Sequence, residues 1–192
     1  MATSRSTRKT ALSALFGTPA GFDDPLEMLL GCHRRIERQL ETLKRLRSHV
    51  AARGVDAEAS AAAQAILKYF LGPALNHHAD EEHDLFPLLE QRITDHGERA
   101  RFAAFRTELE RDHRELQWAW ARLRKPLEAI AEGLVRTLPE NDVHAFVAAY
   151  ARHILAEESA LQEFFNRWLG AADREALGMA MASRRMAQTP RG

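Results

Sequence analysis

Four stretches of this chain place apolar residues at steps of three and four, and every one of those stripes carries a histidine. The first opens at Asp23-Asp24-Pro25, a capping acid with proline near the first helical position, and runs Leu26, Leu29, Leu30, His33, Ile36, Leu40, Leu43. The second spans about residues 57 to 91 and includes His77 and His78; Gly72-Pro73 is expected to kink it and Pro87 to bend its last turns. The third, about 97 to 132, gives Phe102, Phe105, Leu109, His113, Leu116, Trp120, Leu123 and Leu127. The fourth follows Leu138-Pro139 with Val143, Val147, Tyr150, His153, Glu157, Leu161, Phe164 and Trp168. No segment alternates as a half-buried strand would. Four long helices with one apolar stripe each, joined by short polar links, imply an all-α antiparallel up-down-up-down four-helix bundle. A shorter helix, about residues 173 to 185, is expected to pack across one end.

The sequence divides into three parts on this reading. Residues 1–22 contain Arg5, Arg8 and Lys9 but no acid and read as a flexible basic N-terminal arm rather than a transit peptide; residues 23–170 form the bundle; residues 171–192 form the short C-terminal helix and a tail that frays from about 186. Lys+Arg and Asp+Glu are equal at 27 each, so no global field favours nucleic acid or an anionic membrane. No apolar run is long enough to span a bilayer. The single cysteine, Cys32, cannot form an internal disulfide and no secretory leader is visible, so a cytoplasmic setting is expected. Neither nucleic acid nor membrane is an expected partner, and the sequence names no protein partner.

Residues four apart on a helix share a face, so H-x-x-x-E aims an imidazole and a carboxylate at one point. With 9 histidines and 18 glutamates in 192 residues, composition alone supplies about one such pair, but the chain has four: His33/Glu37, His77/Glu81, His78/Glu82 and His153/Glu157. Each inward histidine alone could be a hydrogen-bonded core residue. Four together, with two carboxylates in phase, strain that reading, because buried ionised carboxylates require compensation. Imidazole and carboxylate without thiolate suit iron, manganese or zinc. Two bridging carboxylates suggest two ions. Of the twelve positions of two octahedral ions, four histidines fill four, two bridging glutamates fill four, and one oxo or hydroxo bridge fills two. The remainder stays open for dioxygen, nitric oxide or peroxide, unlike a closed structural zinc site. His33 precedes His77 by 44 residues and His113 precedes His153 by 40, so the halves read as two helical hairpins around a shared site. A ferritin-like site needs Glu-x-x-His on two helices, and only Glu110/His113 has that spacing on a bundle helix. Helical phase leaves His77/Glu81 and His78/Glu82 equivalent, since both tracks are apolar.

The segments DPLEMLLGCHRRIERQLETL, HHADEEHDLFP, ERDHRELQ and HILAEES resemble the successive motifs of the hemerythrin-like (HHE cation-binding) family, in a bacterial-type single-domain form, over about residues 23 to 170. The resemblance implies a four-helix bundle enclosing a non-haem di-iron centre, with His33, His77, Glu81, His113, His153 and Glu157 as metal ligands. The register of Leu85-Phe86-Pro87 selects His77 and Glu81 and turns His78 and Glu82 toward a neighbouring helix or the margin of the site. Two positions depart from the classical oxygen carriers: Gln117 stands where a second third-helix histidine is usual, and the fourth helix offers Glu157 at plus four and Glu158 at plus five in place of an aspartate. The implied cofactor is two iron ions, oxo- or hydroxo-bridged, with manganese or zinc as alternatives. The implied role is binding or sensing dioxygen, nitric oxide or redox state. Two other readings stand beside it: a di-iron enzyme that handles peroxide or nitric oxide or supplies iron for iron-sulfur cluster repair, and a helical interaction protein without metal. The cysteine-bearing domain of repair-linked relatives is absent from this sequence.

Other residues read as structural. Glu37 lies among Arg34, Arg38 and Glu41 and suits a solvated face; Tyr150, one turn before His153, suits the core with an outside role beside a bound ligand. Cys32 reads as a small buried residue, and Arg184 and Arg185 as surface charges near a helix end. His49, His83, His96 and His144 read as surface histidines.

Overall fold

The computed structural model describes residues 24–134 and 137–187; the arm expected over 1–22 and the last five residues of the tail lie outside them. The described residues form helices α1 (Pro25–Arg53), α2 (Ala57–Phe70), α3 (Pro73–Asp80), α4 (Phe86–Arg92), α5 (His96–Ala131), α6 (Glu140–Trp168) and α7 (Ala171–Ala187), with a π-helical turn, Glu81–Leu85, joining α3 to α4. No strand occurs among them. Helix starts follow the capping chemistry of the sequence. Asp24, Asp56 and Asp95 accept hydrogen bonds from the backbone N–H groups of Glu27, Ala59 and Glu98, at 3.1, 2.8 and 2.8 Å. Gly54, with φ of 80°, stops α1 in a left-handed conformation that a side chain would strain.

The second helix of the bundle is segmented. α2 ends where Gly72 precedes Pro73, which starts α3 at its first position. The strain expected at Pro87 is absorbed just upstream of it: Pro87 has no N–H for the His83 carbonyl, and the preceding turn opens so that the Phe86 N–H bonds the Glu81 carbonyl five residues back. The wider turn shifts the inward track by one residue. Glu81 and Leu85, the first and last residues of the turn, face inward, as do Phe86, Leu89 and Ile93 after it, all fully buried. Upstream, the alternative track is wet at Leu71 and Leu75, which are 41% and 47% exposed.

α1, the segmented helix, α5 and α6 pack as a ring in which each touches its sequence neighbours and α6 closes on α1. This is the all-α four-helix bundle expected from the stripes. Two apolar clusters fill it. One gathers Ile36, Leu43, Ile66, Phe70, Leu123, Leu127 and Phe146; the other gathers Leu29, Phe86, Leu89, Phe102, Leu161, Phe164 and Phe165. Between them in every helix fall the polar residues His33, His77, His113, His153 and their neighbours. No helix among the described residues is long and apolar enough to cross a membrane.

α7 lies against α1, α3 and the π turn, with Leu177 and Met181 in the second cluster. It extends through residues 186 and 187, where fraying is expected from sequence. Arg184 and Arg185 are not the free surface charges that their place near a helix end suggests. Arg184 Nε donates to Asp80 Oδ1 at 2.9 Å, Arg185 donates to Asp80 Oδ2 at 2.7 Å, and Arg184 also reaches Asp84. Asp80 has no exposed surface, so these guanidinium groups neutralise a buried carboxylate immediately before the π turn. Removing both, as Arg184→Ala/Arg185→Ala, is expected to lower unfolding stability by about 3 kcal/mol in urea titrations of ion-free protein. Adding Asp80→Asn should restore part of that loss. An unchanged midpoint in the double variant would mean that the pairing contributes nothing.

Candidate metal centre

Helical phase places one histidine from each bundle helix in the layer between the apolar clusters, and His33, His77, His113 and His153 are each at most 1% exposed. Glu81 and Glu157 follow their own histidines by one turn and are fully buried. The Nε2 atoms of His33 and His77 face one another at 3.0 Å. Glu81 lies 3.3 Å from His77 Nδ1 on its own helix and 3.4 Å from His113 Nε2 across the bundle. Glu157 lies 3.1 Å from His153 Nε2 on its own helix and 3.4 Å from His33 Nε2. Each carboxylate therefore spans the two halves of the chain, touching its own half's second-helix histidine and the other half's first-helix histidine.

Most donor atoms in this layer lack hydrogen-bond partners. Both carboxylate oxygens of Glu81 and Glu157, His77 Nδ1, His113 Nε2 and both ring nitrogens of His153 are buried and unsatisfied. Such atoms carry a heavy desolvation penalty unless something binds them. Three sets fall within the reach of a single ion, with donor atoms no more than 4.8 Å apart: His33, His77, Glu81 and Glu157 in one, His113, His153 and Glu157 in another, and His77, His78 and His153 in the third. All six residues expected from the sequence thus meet in one layer. The set is imidazole and carboxylate without thiolate, which fits a first-row divalent cation.

Charge in the ion-free layer is unevenly shared. Burial raises the Glu81 carboxyl well above the ordinary range, and the neighbouring Glu157 adds to the effect. Burial acts the same way on Glu157, but the imidazoles of His153 and His33, 3.1 and 3.4 Å away, overcome it and hold that carboxyl well below the ordinary range. Burial resists charge on His33, yet Glu157 and Glu158 outweigh it and raise its pKa. His77 is pushed well below the ordinary histidine range, mainly by burial, which favours the neutral form that ligates metals.

Two residues outside the expected ligands orient those within. Glu158 Oε1 lies 2.9 Å from His33 Nδ1, and Glu82 Oε1 lies 2.5 Å from His113 Nδ1. With Nδ1–H engaged by a carboxylate, the Nε2 lone pair of each ring faces the layer. The plus-four and plus-five acids of the fourth helix therefore divide the work: Glu157 faces the interior, while Glu158, 40% exposed, grips His33 from outside. Glu82 sits at the margin in the same way. The missed signal is a repeated H-x-x-x-E-E, at His77 and again at His153.

Of the two directions expected for His78, a neighbouring helix or the margin, the residue takes the first and its ring faces α5. It is 6% exposed, and its ring stacks on His113 with centroids 4.0 Å apart and planes 13° apart. Tyr150 is buried, with its ring centroid 6.3 Å from those of His78 and His153, and burial pushes its phenol above the ordinary range. Cys32 is buried, and its sulfur accepts a hydrogen bond from Arg35 at 3.2 Å. Glu37 and Gln117 are exposed, and Gln117 lines the openings that reach His78 and His113. His83, His96 and His144 are exposed, while His49 is half-buried and paired with Asp56 at 2.9 Å.

A four-helix bundle with an interior layer of histidines and glutamates able to hold a cation defines the class, and sequence comparison agrees. The family model of the hemerythrin HHE cation binding domain matches residues 24–165, and the chain belongs to that family. An uncharacterized protein of Haemophilus influenzae is 30% identical over 166 residues, covering 86% of this chain and 92% of that one.

Because Glu82 and Glu158 act from outside on ring orientation, Glu82→Gln and Glu158→Gln are expected to keep the fold and to weaken cation affinity by about 10- to 100-fold. Competitive chelator titration measures the change, with circular dichroism as the check on folding. Unaltered affinity in both variants would remove these carboxylates from the site.

Proposed function

We propose that this protein holds two iron ions in the layer between its apolar clusters and uses them to bind or sense dioxygen or nitric oxide. His33 and His77 would hold one ion, His113 and His153 the other, and Glu81 and Glu157 would be shared. The observation that carries this reading is the pair of fully buried, unsatisfied carboxylates whose ion-pair partners, among the described residues, are imidazoles alone. Iron in this donor set supplies one-electron redox chemistry and a coordination position exchangeable for a small molecule. The chain supplies the enclosure. A narrow, mainly apolar pocket lined by Phe70, Ala74, Leu75, Trp120 and Tyr150 reaches His78, and its character suits a small uncharged ligand. The apolar clusters on either side exclude bulk water from the layer.

Turnover of peroxide or nitric oxide is a second reading, and a neighbouring polar opening favours it. A polar depression bounded by Glu82, Arg106, Glu110 and Arg114 reaches His113. Glu82 is one-third exposed and sits on His113 Nδ1, so it can pass protons between solvent and the layer. The same opening would serve iron delivery to a damaged iron-sulfur cluster.

Iron reconstitution separates these readings. Two iron ions per chain are expected, with visible absorption of a bridged ferric pair after exposure to air, and His77→Ala should abolish the spectrum. Stoichiometric uptake of dioxygen or nitric oxide without consumption indicates binding or sensing, and sustained consumption indicates an enzyme. Iron content near zero, together with no response to manganese or zinc, would leave the interaction-protein reading in its place.

A further inference from the structure

His78 is more deeply placed than its helical track explains. The preceding positions on that face, Leu71 and Leu75, are substantially exposed, yet His78 is 6% exposed with neither ring nitrogen hydrogen-bonded. A ring kept only for packing would be cheaper as leucine or phenylalanine, because two unsatisfied buried nitrogens cost more than an apolar group of similar shape. Its surroundings are donors. One of its nitrogens lies within 4.8 Å of ligand atoms of His77 and His153, and its ring lies flat against His113. Parallel imidazoles at that spacing can sit side by side on one ion. The third helix offers no second imidazole there, because the position one turn beyond His113 is Gln117.

We infer that His78 is a fifth imidazole ligand, completing the ion held by His113 and His153 from the second helix. The inference rests on the metal-binding reading above. It makes the two ions unequal: one has His33 and His77, the other has His78, His113 and His153, and both share Glu81 and Glu157. The His-His pair at positions 77 and 78 then serves both ions, with adjacent residues about 100° apart on the helix aimed at neighbouring centres. It also fills one of the two positions that four histidines leave open, so a small ligand would find one exchangeable position rather than two.

The test uses the full chain loaded anaerobically with ferrous iron, comparing the unsubstituted protein with His78→Leu. The substitution is expected to weaken at least one of the two ions by tenfold or more in chelator competition, while the melting midpoint of the ion-free protein stays the same or rises. Two ions held with unchanged affinity by His78→Leu would overturn the assignment while leaving the metal reading intact. No ion held by the unsubstituted chain would overturn both. A second measurement needs no variant: in cobalt-loaded, ¹⁵N-histidine-labelled protein, five strongly hyperfine-shifted ring systems are expected, and four would place His78 outside the coordination sphere.

Discussion

Two carboxylates buried side by side with no lysine or arginine partner among the described residues are the constraint around which this bundle is organised. The neighbouring residue gives the contrast. Asp80 is as deeply buried as Glu81, and the chain neutralises it with Arg184 and Arg185 from α7. One residue later, Glu81 receives no such cation, and Glu157 receives none on the opposite helix; the ion pairs of both are with imidazoles. Burial drives Glu81 toward its protonated form and leaves the remaining charge to Glu157. Guanidinium groups could have filled this role, as they do for Asp80. Among the described residues none stands beside Glu81 or Glu157, which leaves a charge deficit that a cation could supply.

The arrangement is built twice. In each half the second helix carries H-x-x-x-E-E; the first glutamate turns inward, and the second grips the histidine of the other half's first helix. Glu82 thus fixes His113, and Glu158 fixes His33. The halves interlock through these crossed contacts, so the pseudo-two-fold relation visible in the 44- and 40-residue spacings has a physical purpose. It makes ring orientation on each side depend on a helix from the opposite hairpin.

Much of this was legible in the sequence because helical periodicity reports direction around a helix. The stripes through His33, His113 and His153 gave the bundle and the inward histidines, and family register chose between two equivalent tracks on the second helix. Phase could not say which neighbouring side chain meets a residue once it points inward or obliquely. His78 shares a track with the exposed Leu71 and Leu75, so its burial depends on how closely α5 and α6 approach, as its contacts with His113 and Tyr150 show. Arg184 and Arg185 are similar: their α7 pattern says nothing about Asp80, about a hundred residues earlier. The apolar residues on both second-helix tracks have a specific origin. Leu85, the last residue of the π turn, continues the track of His77 and Glu81, and Phe86, Leu89 and Ile93 take up the next track after it.

The π turn also ties the centre to the C-terminal helix. A π turn is a locally unfavourable geometry that persists where surrounding contacts hold it. Here Asp80 immediately precedes it, Asp84 lies within it, and Arg184 binds both, so α7 braces the turn from outside. Inside, Glu81 is the first residue of the turn and faces the histidines. The carboxylate that α7 holds and the one that faces the histidines are therefore adjacent residues at the start of the same distorted segment. The π turn is thus where the last helix meets the layer of histidines and glutamates that lies between the two apolar clusters.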